Sequence, residues 1–466
     1  MVRVCAYSNL PRRPSNTIKR KTGAILLLQF LYSRFFLAKM NRAAALLLLT
    51  TVLLADDAIH DHDHDHGHVA DPSGSPHLHP EKRNDWFHFH PHLNAAMALG
   101  GSTSEKNLGL VPGSHAPIDD GFNLQGIELG AVLEFGERLS VQANHNVFWD
   151  RFDGWDSEWE EAFAAVELPG NLVFRGGQFF APFGYENTLH LHDRQFVEPP
   201  ISMIRLLGEE GLVVQGAELS WPLPGTSERW LLRFGYGQGR DHTHGATREL
   251  RREAYLEALE HAGEDHEEEE EEHEEHHHGH GLAGNGGVYD AEDAYLGDGF
   301  FFGRLETKPQ WKAIGRAGLS FAAGENGFGR TTWTAGADVS GEGEAIGRPV
   351  WWRGEAFYRN VEAIDTAGIK GDYDELGIYA ASGIEFIEDW TLAARLEWAS
   401  GNRMSGNERR WRAAANVSRA FHLADSADIH TRLQYTYDRL GGYADEHTVW
   451  LQFVLNFGAG GHGHSH

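Results

Sequence analysis

The feature that most constrains the fold of this chain is an alternation of apolar and polar residues in short runs. It is clearest at residues 449–457, where every second residue from Val449 is apolar and the positions between them include Gln452 and Asn456. Successive side chains of a β-strand point to opposite faces, so such a strand has one apolar and one hydrated face. This pattern is typical of the wall of a transmembrane β-barrel, which faces lipid on one side and water on the other.

Runs of this kind follow one another from Asp85 onward, with turn residues between them. No segment after the N-terminal leader reaches the roughly 18 apolar residues that a membrane-spanning helix needs. The chain is therefore predicted to be all-β, a transmembrane antiparallel β-barrel of about 16 strands. The predicted strands cover residues 86–99, 122–135, 138–151, 158–168, 171–180, 211–221, 228–238, 298–307, 311–322, 330–340, 349–360, 373–386, 390–399, 409–421, 428–438 and 446–457.

The predicted links between these strands fall into two classes, as they do in outer-membrane barrels, where one end has short turns and the other has long loops. The short turns are at residues 136–137, 169–170, 308–310 and 387–389. The long links, which we expect outside the cell, are at residues 100–121, 181–210 and 239–297. A barrel of about 22 strands with a plug would need more chain than residues 85–457 offer, so we expect a porin-like barrel without a plug domain. A soluble protein of two β-sandwich domains is the alternative.

Two apolar stretches near the N-terminus indicate export. The second, residues 43–55, resembles a signal peptide that starts at Met40, with cleavage expected after Ala55. A basic arm or a signal anchor is the alternative. The only cysteine is Cys5, so disulfides and thiolate metal sites are not expected in the exported part. The predicted organisation is a leader at 1–55, a disordered His-rich periplasmic arm at 56–84, the barrel at 85–457 and a His-rich tail at 458–466.

The exported part of the chain is strongly acidic. Residues 1–55 carry nine of the 40 Lys and Arg residues and none of the 68 Asp and Glu residues, which leaves 31 basic residues against all 68 acidic ones. A field of this sign concentrates cations and disfavours nucleic acid. We therefore expect membrane lipid and metal ions as partners, and no nucleic acid.

Histidine-rich segments predict binding of zinc or a related divalent metal ion, because imidazole and carboxylate groups together suit such ions. In the arm the candidate ligands are His60, His62, His64, His66 and His68. In the link 239–297, which also has six consecutive glutamates at 267–272, they are His242, His244, His261, His266, His273, His276, His277, His278 and His280. In the tail they are His462, His464 and His466. The alternatives are a solvated acidic loop extended by self-repulsion and, for the tail, a vector-derived tag.

Two further places carry candidate ligands. In strand 86–99, His88, His90 and His92 share the parity opposite to the apolar residues, which predicts a row of histidines in the lumen about 7 Å apart. Ordinary interior hydrogen bonding is the alternative. The link 181–210 is apolar and rich in Pro and Gly, so we expect it to fold into the barrel and narrow it. Its candidate ligands are His190, His192, Asp193, Glu209 and Glu210. Packing against the rim, with the two glutamates bound by backbone donors, is the alternative.

The same link carries a resemblance to known families. The run Gly177-Gln178-Phe179-Phe180-Ala181-Pro182-Phe183-Gly184 looks like the loop entry of phosphate-selective porins. The pattern His190-Leu191-His192-Asp193, with Phe196-Val197, Pro199-Pro200 and Leu207-Gly208-Glu209-Glu210-Gly211, resembles the His-rich proteins labelled zinc-regulated outer-membrane receptors. The resemblance is strongest over residues 171–221. It implies an outer-membrane barrel associated with zinc supply. That label often includes TonB dependence, but this chain shows no plug and no clear energy-coupling box after Ala55.

The leading functional hypothesis is a bacterial outer-membrane channel that captures zinc at loosely defined sites and passes it into the periplasm. The second is a general or anion-selective porin, favoured by the predicted lumen residues Arg175, Arg233, Lys312, Arg316, Arg353, Arg359 and Arg395. The third is a protein that sequesters metal without transport. No serine elbow or Ser/His/acid set stands out, so we expect no enzyme and no organic cofactor. A homotrimer is an open alternative to a monomer.

Overall fold

The computed structural model describes most of the predicted barrel but not the His-rich segments. The described residues are 86–103, 113, 115–118, 120–150, 154–226, 229–240, 292–309, 314–366, 368–401, 409–424, 426–441 and 445–458. Several predicted metal ligands therefore lie outside them: His60, His62, His64, His66, His68, His242, His244, His261, His266, His273, His276, His277, His278, His280, His462, His464 and His466.

The described residues form a closed antiparallel barrel of sixteen strands, in which each strand pairs with its chain neighbours and β1 pairs with β16. The fold class is confirmed, and so are all sixteen predicted strands. Their bounds are β1 Phe87–Ser102, β2 Gly121–Phe135, β3 Leu139–Asp150, β4 Gly154–Leu168, β5 Leu172–Phe180, β6 Val213–Pro222, β7 Trp230–Gly239, β8 Leu296–Thr307, β9 Arg316–Asn326, β10 Thr331–Ala345, β11 Arg348–Ile364, β12 Lys370–Ile387, β13 Trp390–Ala399, β14 Arg410–Ala424, β15 Ala427–Leu440 and β16 Glu446–Gly458.

Helical structure in the described part is confined to four short pieces. One α-helix, α1, covers Ile201–Leu207, and 3-10 turns cover Glu186–Thr188, Leu191–Asp193 and Glu292–Ala294. None of the described helices has the length and apolar character needed to cross a bilayer.

The burial of side chains is the reverse of that in a soluble protein. In β13, Leu396 is 66% exposed, whereas its neighbours Arg395 and Glu397 are 1% and 2% exposed. The same alternation places the histidines of β1 inside and Phe87 and Phe89 outside. A closed sheet with leucines outside and charges inside needs a hydrocarbon surrounding, so the two-sandwich alternative is wrong.

Aromatic side chains lie at both ends of the strands, where a bilayer has its interfaces. At the end with the short turns, Phe87 lies against Phe135 with ring centroids 5.4 Å apart. At the other end, Trp149 lies against Trp155 at 5.5 Å, and Trp398 lies near Trp411. Two such girdles around an apolar band are the mark of barrels of the bacterial outer membrane, which is where this protein resides.

Residues 181–212, here called the constriction loop, leave the wall between β5 and β6 and cross the lumen, as predicted. On the far side, the Ile201 amide donates to Glu397 Oε2 at 2.6 Å and the Val197 amide donates to Gln434 Oε1 at 2.9 Å. Helix α1 packs against β11, β12 and β13 and is entirely buried. The loop therefore divides the bore. The first half of the loop faces β1–β4.

One side chain, Asn187, joins the two ends of the constriction loop, here called its neck. Asn187 donates to the carbonyls of Ala181 and Leu212 at 2.9 and 3.2 Å, and its Oδ1 accepts from the Leu212 amide at 2.7 Å. Gly211 has φ +83°, and a Cβ there would collide with Asn187 Oδ1. The sharp return of the chain into β6 thus requires glycine at this position.

Candidate metal centre

Polar residues line up in two rows across the inner face of β1–β4, where the strand register brings them side by side. One row is His92, Gly130, Asn144 and Glu161. The next row is Asn94, Glu128, Asn146 and Glu158. Glycine at 130 leaves room for its neighbours, because a Cβ there would collide with the His92 ring and the Asn144 amide.

A β-bulge adds one more carboxylate to these rows. The register of β3 and β4 shifts so that Asn144 pairs with Glu161 and His145 pairs with Trp159, which leaves Glu160 as an extra residue. Bulges re-aim side chains in this way beside functional sites. Glu158, Glu160 and Glu161 are consequently all buried on the lumen side, whereas Trp159 points outward.

The constriction loop brings His190 into contact with three carboxylates. His190 Nδ1 lies 3.1 Å from Glu128 Oε2 and 3.0 Å from Glu160 Oε2, and its Nε2 lies 3.1 Å from Glu161 Oε2. Burial lowers the pKa of His190, but the charge of Glu128 and the hydrogen bonds with these glutamates outweigh it and raise the pKa well above its ordinary value.

Glu128 is the meeting point of two further histidines. His92 Nε2 lies 3.3 Å from Glu128 Oε1, and His192 Nδ1 lies 3.8 Å from the same oxygen. Asn94 donates to Glu128 at 2.8 Å. The ring of His192 stacks on that of His190 at a centroid distance of 5.6 Å. The predicted lumen histidine of β1 and the predicted histidines of the constriction loop therefore converge on one carboxylate.

His115, which the sequence did not single out, completes a second group of ligands. It lies on the link between β1 and β2, and its Nε2 is 2.9 Å from Glu158 Oε1 and 3.9 Å from Glu160 Oε1. Asn146 Nδ2 lies 3.2 Å from the same nitrogen. We call the whole set the ligand cluster: His92, His115, Glu128, Glu158, Glu160, Glu161, His190 and His192.

The remaining predicted residues of the constriction loop lie around the cluster. Asp193 Oδ2 is 3.5 Å from His192 Nε2, at the edge of the cluster. Glu210 forms an ion pair with Arg240, and Arg240 also binds Glu158 at 2.8 Å. Glu210 borders the same small cavity as His115 and His190. Glu209 is buried, and it is not among the groups whose ligand atoms converge in the described part of the chain.

The other two predicted histidines of β1 continue along the wall toward the end with the short turns. The rings of His88 and His90 stack with centroids 6.2 Å apart. His90 Nε2 lies 3.6 Å from Glu134 Oε2. Together with His92 they form the predicted row on the lumen side, which leads away from the ligand cluster.

Two groups in the cluster have the composition and spacing of metal sites. They are His115 with Glu158 and Glu160, and His190 with Glu128 and Glu160; within each, the ligand atoms lie within 4.8 Å of one another. One imidazole with two carboxylates is a donor set that suits zinc and other borderline divalent cations. Their burial and the excess of carboxylates favour a cation over an anion.

Comparisons with known proteins find similarity among solved structures. No family model and no curated protein matches the sequence. Similar solved structures include the anion-selective porin from Comamonas acidovorans, at 10% identity over 80% of this chain and 99% of that chain, with a TM-score of 0.45. The outer membrane channel DcaP of Acinetobacter baumannii has 9% identity over 80% of this chain and 97% of that chain, with a TM-score of 0.49. OccK9 (OpdG) of Pseudomonas aeruginosa has 10% identity over 80% and 98%, with a TM-score of 0.47.

At this level of similarity the barrel assignment rests on the closed strand pairing of the chain itself. The chain is porin-like in having sixteen strands and an inward-folded loop. The resemblance to zinc-regulated outer-membrane receptors stays a prediction.

Proposed function

We propose that this protein is an outer-membrane channel that captures zinc or a related divalent metal ion in the ligand cluster and lets it pass into the periplasm. The observation that supports it is the contact of His190 with Glu128, Glu160 and Glu161 at 3.0–3.1 Å, on a loop that crosses the bore. A cation on its way through the half of the lumen beside β1–β4 meets these ligands. The row His92, His90 and His88 then offers further imidazoles toward the periplasmic end.

The arginines of the lumen bear on the alternative, a general or anion-selective porin. The predicted residues Arg175, Arg233, Arg316, Arg353, Arg359 and Arg395 all face inward, which favours that alternative, whereas Lys312 lies outside the described residues. Most of them are paired with carboxylates: Arg175 with Glu218 at 2.8 Å, Arg353 with Glu186 at 2.8 Å, Arg395 with Glu397 at 2.6 Å, Arg316 with Glu306 at 3.6 Å, and Arg359 with Glu375. Paired charges attract anions weakly, so the fold suits a general porin more than an anion-selective one.

Arginines of the lumen, Arg395 among them, also hold the constriction loop. Arg395 donates to the Glu198 carbonyl at 3.0 Å, Arg432 donates to the Arg194 carbonyl at 2.8 Å, and Arg412 donates to the Pro199 carbonyl at 3.4 Å. Their positive charges therefore serve the architecture of the loop. The ligand cluster, in contrast, has four glutamates, of which Glu158 is paired with Arg240 at 2.8 Å.

The test is zinc influx into liposomes that contain the full-length protein and a trapped zinc-sensitive dye. With zinc below saturation, His190→Ala should lower the influx at least about tenfold, the scale found for groups that support metal ligands. His145→Ala is the matched control, because His145 lies on β3 with its ring against Trp159, which points outward. The control should transport zinc like the wild type.

Other outcomes separate the three functional hypotheses. Equal zinc influx in His190→Ala and wild type, with a reversal potential that zinc does not change, would favour the general or anion-selective porin. Several bound zinc ions per chain without any conductance would favour sequestration. As a folding control, potassium chloride conductance of the His190→Ala protein would show that the variant has formed its barrel.

A further inference from the structure

The two candidate groups of metal ligands have one residue in common. Glu160 directs Oε1 toward His115 Nε2, at 3.9 Å, and Oε2 toward His190 Nδ1, at 3.0 Å. Glu158 belongs only to the first group and Glu128 only to the second. A carboxylate that presents one oxygen to each of two ligand sets has the geometry of a bridge between two cations.

Two buried amides provide an independent indication. Asn146 and Asn144 are each 2% exposed, and the Oδ1 of each has no hydrogen-bond partner among the described residues. The Nδ2 atom of Asn146 lies 3.2 Å from His115 Nε2, the ring nitrogen that faces Glu158 and Glu160. The Nδ2 atom of Asn144 lies 3.4 Å from His190 Nε2, the ring nitrogen on the side of Glu161. The two ends of an amide are assigned from the surrounding contacts, and rotation of the Asn146 amide by 180° would turn its unpaired oxygen toward the group of His115, Glu158 and Glu160. Carbonyl oxygens are ligands for divalent cations.

The balance of charge points the same way. Glu128, Glu158, Glu160 and Glu161 are all buried within this small volume. Leaving a buried carboxylate without a compensating positive charge is costly, and the arginine in direct contact with these glutamates is Arg240, 2.8 Å from Glu158. Arg240 is shared with Glu210, which uses part of its charge outside the cluster.

We propose that Glu160 bridges two divalent metal positions, one held by His115, Glu158 and Glu160 and the other by Glu128, Glu160 and His190. This inference rests on the proposed function and specifies its site. The two cations repel each other and compete for one bridging carboxylate, so the second ion to enter weakens the hold on the first. Such paired occupancy lets a channel bind an ion at low concentration and still release it, as in multi-site conduction.

The experiment is anomalous diffraction at the zinc edge, on crystals of the full-length protein grown with zinc. The wild type and the His145→Ala control should show two peaks in the lumen, one on each side of the Glu160 carboxylate. His115→Ala should lose the peak beside Glu158 and keep the one beside Glu128. His190→Ala should lose the peak beside Glu128 and keep the one beside Glu158. Because each diffraction map also shows the barrel, a folding defect would be visible directly.

Glu160→Gln tests the bridge itself. A neutral amide offers only one good oxygen ligand, so the variant should hold at most one zinc ion in the cluster. Two peaks of wild-type occupancy in Glu160→Gln would overturn the bridge. One wild-type peak that requires both His115 and His190 would overturn the paired site but leave capture of zinc intact. A wild type without zinc in the ligand cluster would overturn the proposed function as well.

Discussion

Buried arginine–carboxylate pairs stabilise the lumen side of the wall one residue at a time. Arg359 is 1% exposed, and its Nε donates to Glu375 Oε2 at 2.9 Å. Its guanidinium also lies over the ring of Tyr295 at 5.0 Å. Taking one charge of such a pair away leaves the other buried without a partner, which costs more than removing both.

Arg359→Met should therefore lower the free energy of unfolding by about 3–5 kcal/mol, because it leaves Glu375 unpaired. The double variant Arg359→Met, Glu375→Leu should recover most of that loss. Urea titration of each variant in lipid vesicles, followed by the fraction of folded protein, measures the stability of both. A double variant as unstable as the single one would show that the pair contributes through its shape and not through its charge.

At the residue scale, the sequence predicted some members of the ligand cluster and not others, for reasons specific to each. The inward direction of His92 follows from the alternation along β1, and it is confirmed. The same alternation along β4 places Glu161 on the face opposite to Glu160, and the bulge alone brings both inside. His115 lies on a link without regular structure, so no periodicity indicates where its side chain lies.

At the scale of elements, the constriction loop fixes the position of His190 and His192 against the barrel wall. Its composition predicted that it folds inward, but the partners that fix it lie on β11–β15, far away in the sequence. No local pattern in residues 181–212 shows that the Ile201 amide binds Glu397 or that α1 is buried. The contact of the loop with β1–β4 could therefore be seen only in the folded barrel.

Removing the hydrogen bonds at the neck of this loop should change the conductance of the pore. Asn187→Ala removes three hydrogen bonds to Ala181 and Leu212, and the groups left unsatisfied should cost about 1–3 kcal/mol. We expect larger and noisier single-channel conductance in planar bilayers. Thr188→Ala is the control, since it removes only the local hydrogen bond to the Tyr185 carbonyl. A conductance unchanged by Asn187→Ala would mean that the contacts with the opposite wall hold the loop without its neck.

At the scale of the whole molecule, apolar residues surround a charged interior. The alternation that predicted sixteen strands arises directly from this arrangement, which is why strand number, pairing order and closure could all be predicted. The register could not, because the alternation repeats every two residues and a shift by two leaves it unchanged. Register in turn decides which polar residues share a row, and the two rows of the ligand cluster depend on it.

The lipid-facing surface gives a prediction for the barrel as a whole. Leu129, near the middle of β2, and Leu423, near the end of β14, are both exposed on the outside. Arginine at a bilayer midplane costs about 2–4 kcal/mol, against about 0–1 kcal/mol near an interface. Leu129→Arg should thus weaken folding into vesicles far more than Leu423→Arg. Equal effects of the two substitutions would contradict the placement of the membrane.

The bulge on β4 has a consequence for how the proposed metal site could arise. Glu158 and Glu161 already face Asn146 and Asn144 across the ladder, so the sheet has no need of the residue between Trp159 and Glu161. A single in-frame codon accounts for Glu160, and its deletion would leave the neighbouring strands correctly matched. If the proposed metal site is occupied, its bridging carboxylate would be gained or lost with one codon, with the surrounding wall intact.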